Sequence, residues 1–381
     1  MAVARALDGR LLATALLVCA CFGSIHAYGV LLAPLELWLG TGRAAASLGY
    51  SAAVLALTAG VYVNGRLPGS VSDRTRLVAC GVIAAGGLTG AALWPGLASL
   101  VIGFGLAYGL ANGAAYGLAL GIAARSMPGR EATAMGIATA AYGLGAVLFA
   151  QVFDTVIMMM AMNWLLLLWA ALLLFACLVG AVLAGPASAA LRQSVPEQTA
   201  ARSAGVVPLW TAYLLGAFGG LMVLAHAPGI AAGLSGPTAS AGLASGVVSG
   251  GSVVGGYLGG VLAERLSRRW SIALPLVVQS AAVMALLTVS ALPLVISALG
   301  VIGLCYGALI SAVPAVVRQT WGDGGFADAY GKVFTAWGIA GLAGPAAAGF
   351  LFDLTDHYAL ALVAACALSL AGAVLTLRFR D

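Results

Sequence analysis

Nine stretches of this chain contain no aspartate, glutamate, lysine or arginine, and each is long enough to cross a bilayer: residues 11–35, 44–65, 77–124, 132–153, 155–191, 203–263, 270–317, 333–352 and 357–377. A helix rises about 1.5 Å per residue, so a hydrocarbon layer of about 30 Å takes about 20 apolar residues. The three longest runs, of 48, 61 and 48 residues, hold two crossings each. The pattern predicts an all-α integral membrane protein with twelve transmembrane helices, numbered here as spans 1 to 12. Composition points the same way. The chain is 62% hydrophobic and 8% charged, with a mean hydropathy of +1.06, whereas soluble domains carry about 25% charged residues. A water-soluble fold is excluded. Twelve spans of about 22 residues leave about 117 positions for loops and tails, too few for a soluble domain. Glycine, at 53 of 381 residues, is about twice as common as usual, as expected where helices approach closely in lipid.

Charge gives the expected orientation. With the N-terminus inside, 16 of the 17 basic residues fall on the inner side and only Arg43 falls outside. This places both termini in the cytoplasm and the protein in a plasma membrane, such as a bacterial inner membrane. The pI of about 9.0 then reflects topology rather than nucleic-acid binding, because no basic face studded with aromatics accompanies it. Trp38, Trp94, Trp164, Trp210, Trp270 and Trp321 fall at predicted span ends, as an aromatic belt. The basic, apolar N-terminus reads as a retained first span, not a cleaved signal. Cys19, Cys21, Cys80, Cys177, Cys305 and Cys366 fall inside spans without a Cys-x-x-Cys pair, so no disulfide framework, metal site or cofactor is expected.

The chain also repeats itself. Residues 186–208 form its longest polar stretch and read as a cytoplasmic linker between an N-terminal six-helix bundle, 1–185, and a C-terminal one, 209–381. MGIATAAYGLG at 135–145 resembles YGKVFTAWGIA at 330–340, pairing Gly136 with Gly331 and Tyr142 with Trp337 at an offset of 195. GSVSDRTR at 69–76 resembles GVLAERLSRR at 260–269, and CFG at 21–23 resembles AFG at 217–219, at offsets of 191 and 196. Three matches in one order predict two pseudo-symmetric halves, a plan suited to transport by rocking about a central site.

The loop Gly260-x-Leu262-Ala263-Glu264-Arg265-x-x-Arg268-Arg269 closely resembles the signature loop of the major facilitator superfamily, and Gly69, Asp73, Arg74 and Arg76 form a weaker copy. In that family the loop helps latch the cytoplasmic gate. The resemblance spans the whole chain and implies the major facilitator fold, commonly monomeric, with spans 1, 4, 7 and 10 lining a central cavity. More narrowly, YGKVFTAWGIAGLAGPAAAGFLFD at 330–353, with Pro128, Arg130 and Gly136 after a glycine-rich span 4, resembles the oxalate/formate antiporter and monocarboxylate porter branch. That likeness implies an aromatic box around the carboxylate, with Tyr28, Tyr116, Tyr142, Tyr306 and Trp337 its counterparts here.

On the spans so implicated, Tyr108, Asn112 and Tyr116 fall on one helical stripe of span 4. His26 and Tyr28 fall in span 1, and His226 in span 7. A histidine inside the membrane can carry a coupling proton or pair with an anion, or simply bond a carbonyl or tyrosine. Asn112 can contact solute or glue helices. Glu36, after Pro34 at the mouth of span 1, is a further proton-coupling candidate. The branch's charged members place a basic residue in span 8 and another in span 11, yet 238–262 and 333–351 contain none. Lys332 and Arg318 read as rim residues. A dianion without a fixed cation is costly to hold in a membrane, so oxalate is disfavoured.

The leading expectation is a secondary transporter of small organic solutes, foremost monocarboxylates coupled to a proton or a counter-substrate, working by alternating access. Broad efflux of apolar or neutral compounds is the alternative within transport, and a non-transporting membrane sensor or assembly factor is the alternative outside it. An enzyme is not expected, since no phosphate-binding loop and no nucleophile with its base occurs.

Overall fold

A computed structural model describes residues 7–68, 70–185, 206–236 and 241–377. Gly69 and residues 186–205 of the expected linker lie outside the described residues. Uncharged runs become helices because, without water, a backbone satisfies its own polar groups within each segment. Span 1 starts at Asp8, whose carboxylate accepts from the N–H groups of Arg10 and Leu11, a side-chain cap for donors with no partner of their own. It comprises Gly9–Phe22, a tight 3₁₀ segment Gly23–Ala27, and Tyr28–Leu39. Gly40 ends it in the left-handed region at φ 61°, where a Cβ would be strained.

Span 2 is Arg43–Arg66 and span 3 is Asp73–Leu93, the latter capped by the Ser72 hydroxyl. Span 4 begins at Leu97–Ser99, passes through a π-helical stretch Leu100–Tyr108 and ends as Gly109–Ser126. Spans 5 and 6 are Glu131–Ile157 and Met162–Ala184. Spans 7, 8 and 9 are Val206–Ser235, Ala241–Arg265 and Arg268–Leu286. Leu292–Thr355 is hydrogen-bonded as one helix, but Gly322 within it is non-helical at φ 66° and ψ −177°. It therefore divides into span 10, residues 292–321, and span 11, residues 323–355. Span 12 is Ala359–Leu377. Eleven of the described helices are long and apolar enough to cross a membrane when Leu292–Phe352 is taken as one, and the break at Gly322 makes twelve. No strand occurs among the described residues.

The described residues form two compact units, 7–134 with 141–185 and 321–331, and 206–320 with 135–140 and 332–377. Each is closed by the same glycine contacts. In the first, a Cβ on Gly109 of span 4 would lie 2.5 Å from the Ala53 carbonyl of span 2, and one on Gly113 would strike the Leu57 carbonyl. In the second, Gly303 and Gly307 of span 10 meet the carbonyls of Val248 and Ser252 on span 8 in the same way. Gly60 against Leu110 and Gly255 against Leu304 complete the correspondence. These pairs match at offsets of 194 or 195. The internal repeat is thus a repeat of backbone contacts, made possible by missing side chains.

Candidate functional site

In the first unit the 3₁₀ segment interrupts span 1 where polar side chains gather. Gly23 permits this, since a Cβ there would collide with the Tyr142 carbonyl, and Gly145 lets span 5 lie on the Ala20 carbonyl likewise. The Phe22 carbonyl accepts from Asn112 Nδ2 at 2.7 Å. Asn112 Nδ2 also reaches the Tyr108 hydroxyl at 3.2 Å, and the Tyr142 hydroxyl donates to Asn112 Oδ1 at 2.9 Å. Asn112 is wholly buried, and its amide donors and acceptor are engaged by spans 1, 4 and 5. Ser24 accepts from the Trp169 indole N–H at 2.8 Å and lies 3.3 Å from the Tyr108 hydroxyl. Trp169 is enclosed by Phe104, Tyr108 and Phe153, with ring centroids 4.7 to 5.6 Å away.

Beside this network stands an aromatic cluster. Tyr116 and Tyr142 have ring centroids 4.9 Å apart, and His26 presents an edge-on contact to Tyr142 at 5.7 Å. His26 is exposed, and its Nδ1 lies 2.8 Å from the Tyr50 hydroxyl. Tyr28 stacks between Tyr50 and Phe104 and donates its hydroxyl to the Ala46 carbonyl at 2.7 Å. It is held inside the bundle. Glu36 is half-buried near the end of span 1, where its carbonyl accepts from the Thr41 N–H.

The second unit carries a counterpart. The Trp337 indole N–H donates to the Tyr306 hydroxyl at 2.8 Å, and Phe334 stacks on Trp337. Trp337 is offset by 195 from Tyr142, and Tyr306 by 194 from Asn112, so an aromatic of the fifth helix meets the fourth helix in both units. The histidines do not correspond. His226 lies 200 residues after His26, and both its ring nitrogens are occupied, Nδ1 by the Tyr358 hydroxyl at 3.2 Å and Nε2 by the Pro345 carbonyl at 3.0 Å.

The signature loops differ too. Asp73, 1% exposed, is ion-paired with Arg125 at the end of span 4. Arg76, also buried, donates to the carbonyls of Val71, Leu67 and Pro68 and to Asn64, satisfying acceptors left over at the end of span 2. Arg74, by contrast, is exposed. In the other motif, where the expected loop shortens to residues 266–267, Glu264 and Arg265 on the last turn of span 8 are exposed and Arg268, opening span 9, donates to the Thr320 hydroxyl at 3.4 Å. Gly260, which the structure places inside span 8, packs against Gly136 within the second unit, and Gly331 packs against Tyr62 within the first.

Several residues escape a sequence reading. Tyr50, Arg125 and Tyr358 belong to no motif. Ser24 and Trp169 had a weak signal: a Gly-Ser pair where a helix can break, and a tryptophan far from either span end. Trp94, Trp164 and Trp270 are exposed, as a belt requires. Trp210 departs from it, since its N–H donates to Thr335 Oγ1 at 2.8 Å.

No curated protein matches the chain in sequence. Residues 209–381 match the family model described as Major Facilitator Superfamily. Among solved structures, the chain is similar to the proton:xylose symporter XylE bound to 6-bromo-6-deoxy-D-glucose, over 97% of this chain and 95% of that one, with a TM-score of 0.69 and 14% identity. It is also similar to the human organic anion transporter MFSD10 (TETRAN), over 97% of this chain and 99% of that one, with a TM-score of 0.73 and 15% identity. At such identities the likeness concerns the fold. The chain is a multi-pass integral membrane protein with the major facilitator fold, built as two pseudo-symmetric six-helix bundles, of which the C-terminal one matches the Major Facilitator Superfamily.

Proposed function

We propose that this protein is a secondary transporter, not an enzyme, and that it moves small monocarboxylates together with a proton or in exchange for a counter-substrate, by alternating access. In the first unit Tyr116 and Tyr142 would contact the solute, with His26 as the ionisable group, and in the second Tyr306 and Trp337 would do so. Both termini would face the cytoplasm from a plasma membrane, and the protein would work as a monomer. The observation that carries the substrate class is chemical. In the first unit the polar groups gathered on spans 1, 4 and 5 are hydroxyls, an amide and imidazole, and in the second Tyr306 and Trp337 bring a hydroxyl and an indole, while 238–262 and 333–351 contain no lysine or arginine. Such surroundings suit a single negative charge that arrives with a proton, or no charge at all, and disfavour a dianion. The branch-level resemblance of residues 330–353 supports the carboxylate reading, as does the organic anion transporter among the structural neighbours. The sugar symporter supports proton coupling and leaves room for neutral, hydroxylated solutes.

The test is uptake of radiolabelled formate, lactate, pyruvate and oxalate into liposomes containing the purified protein, with and without an imposed pH gradient. Gradient-stimulated uptake of the three monocarboxylates with oxalate inactive is expected. Uptake or binding of apolar and neutral compounds alone would move the assignment to broad efflux.

A further inference from the structure

We infer that His26 alone carries the coupling proton at the proposed site, that Tyr50 is the positioning residue holding its ring, and that His226 is a structural latch. The inference rests on the monocarboxylate reading for its solute and on this geometry for its residues.

His26 lies in the 3₁₀ segment Gly23–Ala27, where span 1 leaves regular helical register. The titratable groups facing its ring are the Tyr50 hydroxyl, 2.8 Å from Nδ1 on span 2, and Tyr142, edge-on from span 5. Tyr28, on its own span, braces Tyr50 by stacking at 5.7 Å and is itself tied to the Ala46 carbonyl. Among the described residues His26 forms no ion pair with a carboxylate. Its Nδ1 is therefore committed to Tyr50, and exchange with the exposed side falls to Nε2.

The proposed neutral tautomer is the one in which Nδ1–H donates to the Tyr50 oxygen, 2.8 Å away, and Nε2 keeps its lone pair. A proton from solvent adds to that lone pair, giving an imidazolium whose Nε2–H donates to a carboxylate oxygen; no other bond forms or breaks. The site thus gains a positive charge only when it gains a proton. Proton and monocarboxylate binding are linked, each strengthening the other by the same factor, and the pair enters with no net charge. A dianion would retain one uncompensated charge.

His226 has no such freedom. The Pro345 carbonyl only accepts, so Nε2–H donates to it, and Nδ1 accepts from the Tyr358 hydroxyl. Gly229 makes room for this, since a Cβ there would lie 2.5 Å from the Tyr358 hydroxyl. The ring joins span 7 to span 11 and to the residue before span 12.

Titration calorimetry of lactate into the full-length purified protein, in buffers of differing ionisation enthalpy near about pH 7.5, counts protons taken up on binding. Wild type and His226→Gln are expected to take up close to one proton per lactate. His26→Gln is expected to take up none and to bind lactate about tenfold more weakly or worse. Tyr50→Phe is expected to shift the pH midpoint of lactate binding by about one unit while keeping proton uptake. Unchanged proton uptake in His26→Gln, or its loss in His226→Gln, would overturn the inference and leave the transport reading standing. Nitrogen-15 NMR of the histidines needs no solute. It should show His26 titrating at Nε2, with a changed titration in Tyr50→Phe. Silence of His26 between about pH 4 and 9, or identical spectra in the variant, sinks the inference directly. If lactate and its relatives give no heat at all, the monocarboxylate reading fails while the NMR result still decides His26 and Tyr50.

Discussion

The two six-helix units share their scaffold and differ in their chemistry. Span 4 lies on span 2, and span 10 on span 8, through glycines at equivalent positions. Yet span 1 is interrupted at Gly23–Ala27 and span 4 carries a π-helical stretch, whereas Val206–Ser235 runs as one helix. Irregular backbone inside a membrane is tolerated where protein or a water-filled cavity covers it, and it commonly marks a site. The first unit also buries an Asp73–Arg125 ion pair, while its counterpart Glu264 is exposed. The packing that holds the helices together recurs in both units, while the interrupted backbone of span 1 and the buried Asp73–Arg125 pair belong to the first.

The largest effect should come from breaking that asymmetry at the loops. Arg125→Ala leaves the nearly inaccessible Asp73 carboxylate without its cation, which costs about 3–5 kcal/mol. Glu264→Gln removes an exposed charge and should change stability by no more than about 1 kcal/mol. Thermal unfolding of both variants in detergent checks this, and similar losses would mean the two loops are equivalent after all. Next in size are Gly109→Ala and Gly303→Ala, which push a methyl into the carbonyls of Ala53 and Val248. Overpacking of this kind costs about 1–3 kcal/mol. Here the two units should respond alike, and a one-sided loss of melting temperature would argue against a shared scaffold. The smallest effects belong to Tyr142→Phe and Tyr306→Phe, each deleting one bond between spans. Interhelical hydrogen bonds in membranes average about 0.6 kcal/mol, so folding should hardly change. Under the proposed function solute binding weakens in each variant, and normal binding in either one would remove that hydroxyl from the proposed solute contacts.

Much of the fold was legible because it depends on properties summed along the chain. Uncharged runs of sufficient length predict spans, and the offset of 195 that pairs Tyr142 with Trp337 reappears as equivalent hydrogen bonds. The site was legible only in part. A shared stripe grouped Tyr108, Asn112 and Tyr116, but not that Asn112 is occupied by the Phe22 carbonyl and Tyr142. Two mid-span histidines looked alike in sequence, and the structure gives them different surroundings. Arg76 was visible as a loop arginine, whereas its burial against the carbonyls ending span 2 was not.

The sequence by itself determined how many times the chain crosses a bilayer and that it does so as a duplicated unit, because hydrophobic length and internal repetition are written in the order of residues. Only the tertiary structure decided which polar groups meet. Trp169 and Ser24 are 145 positions apart and Asn112 and Phe22 are 90 apart, and a hydrogen bond requires its atoms within about 3 Å. No local pattern encodes that distance; it follows from glycines that let the helices approach until those side chains touch.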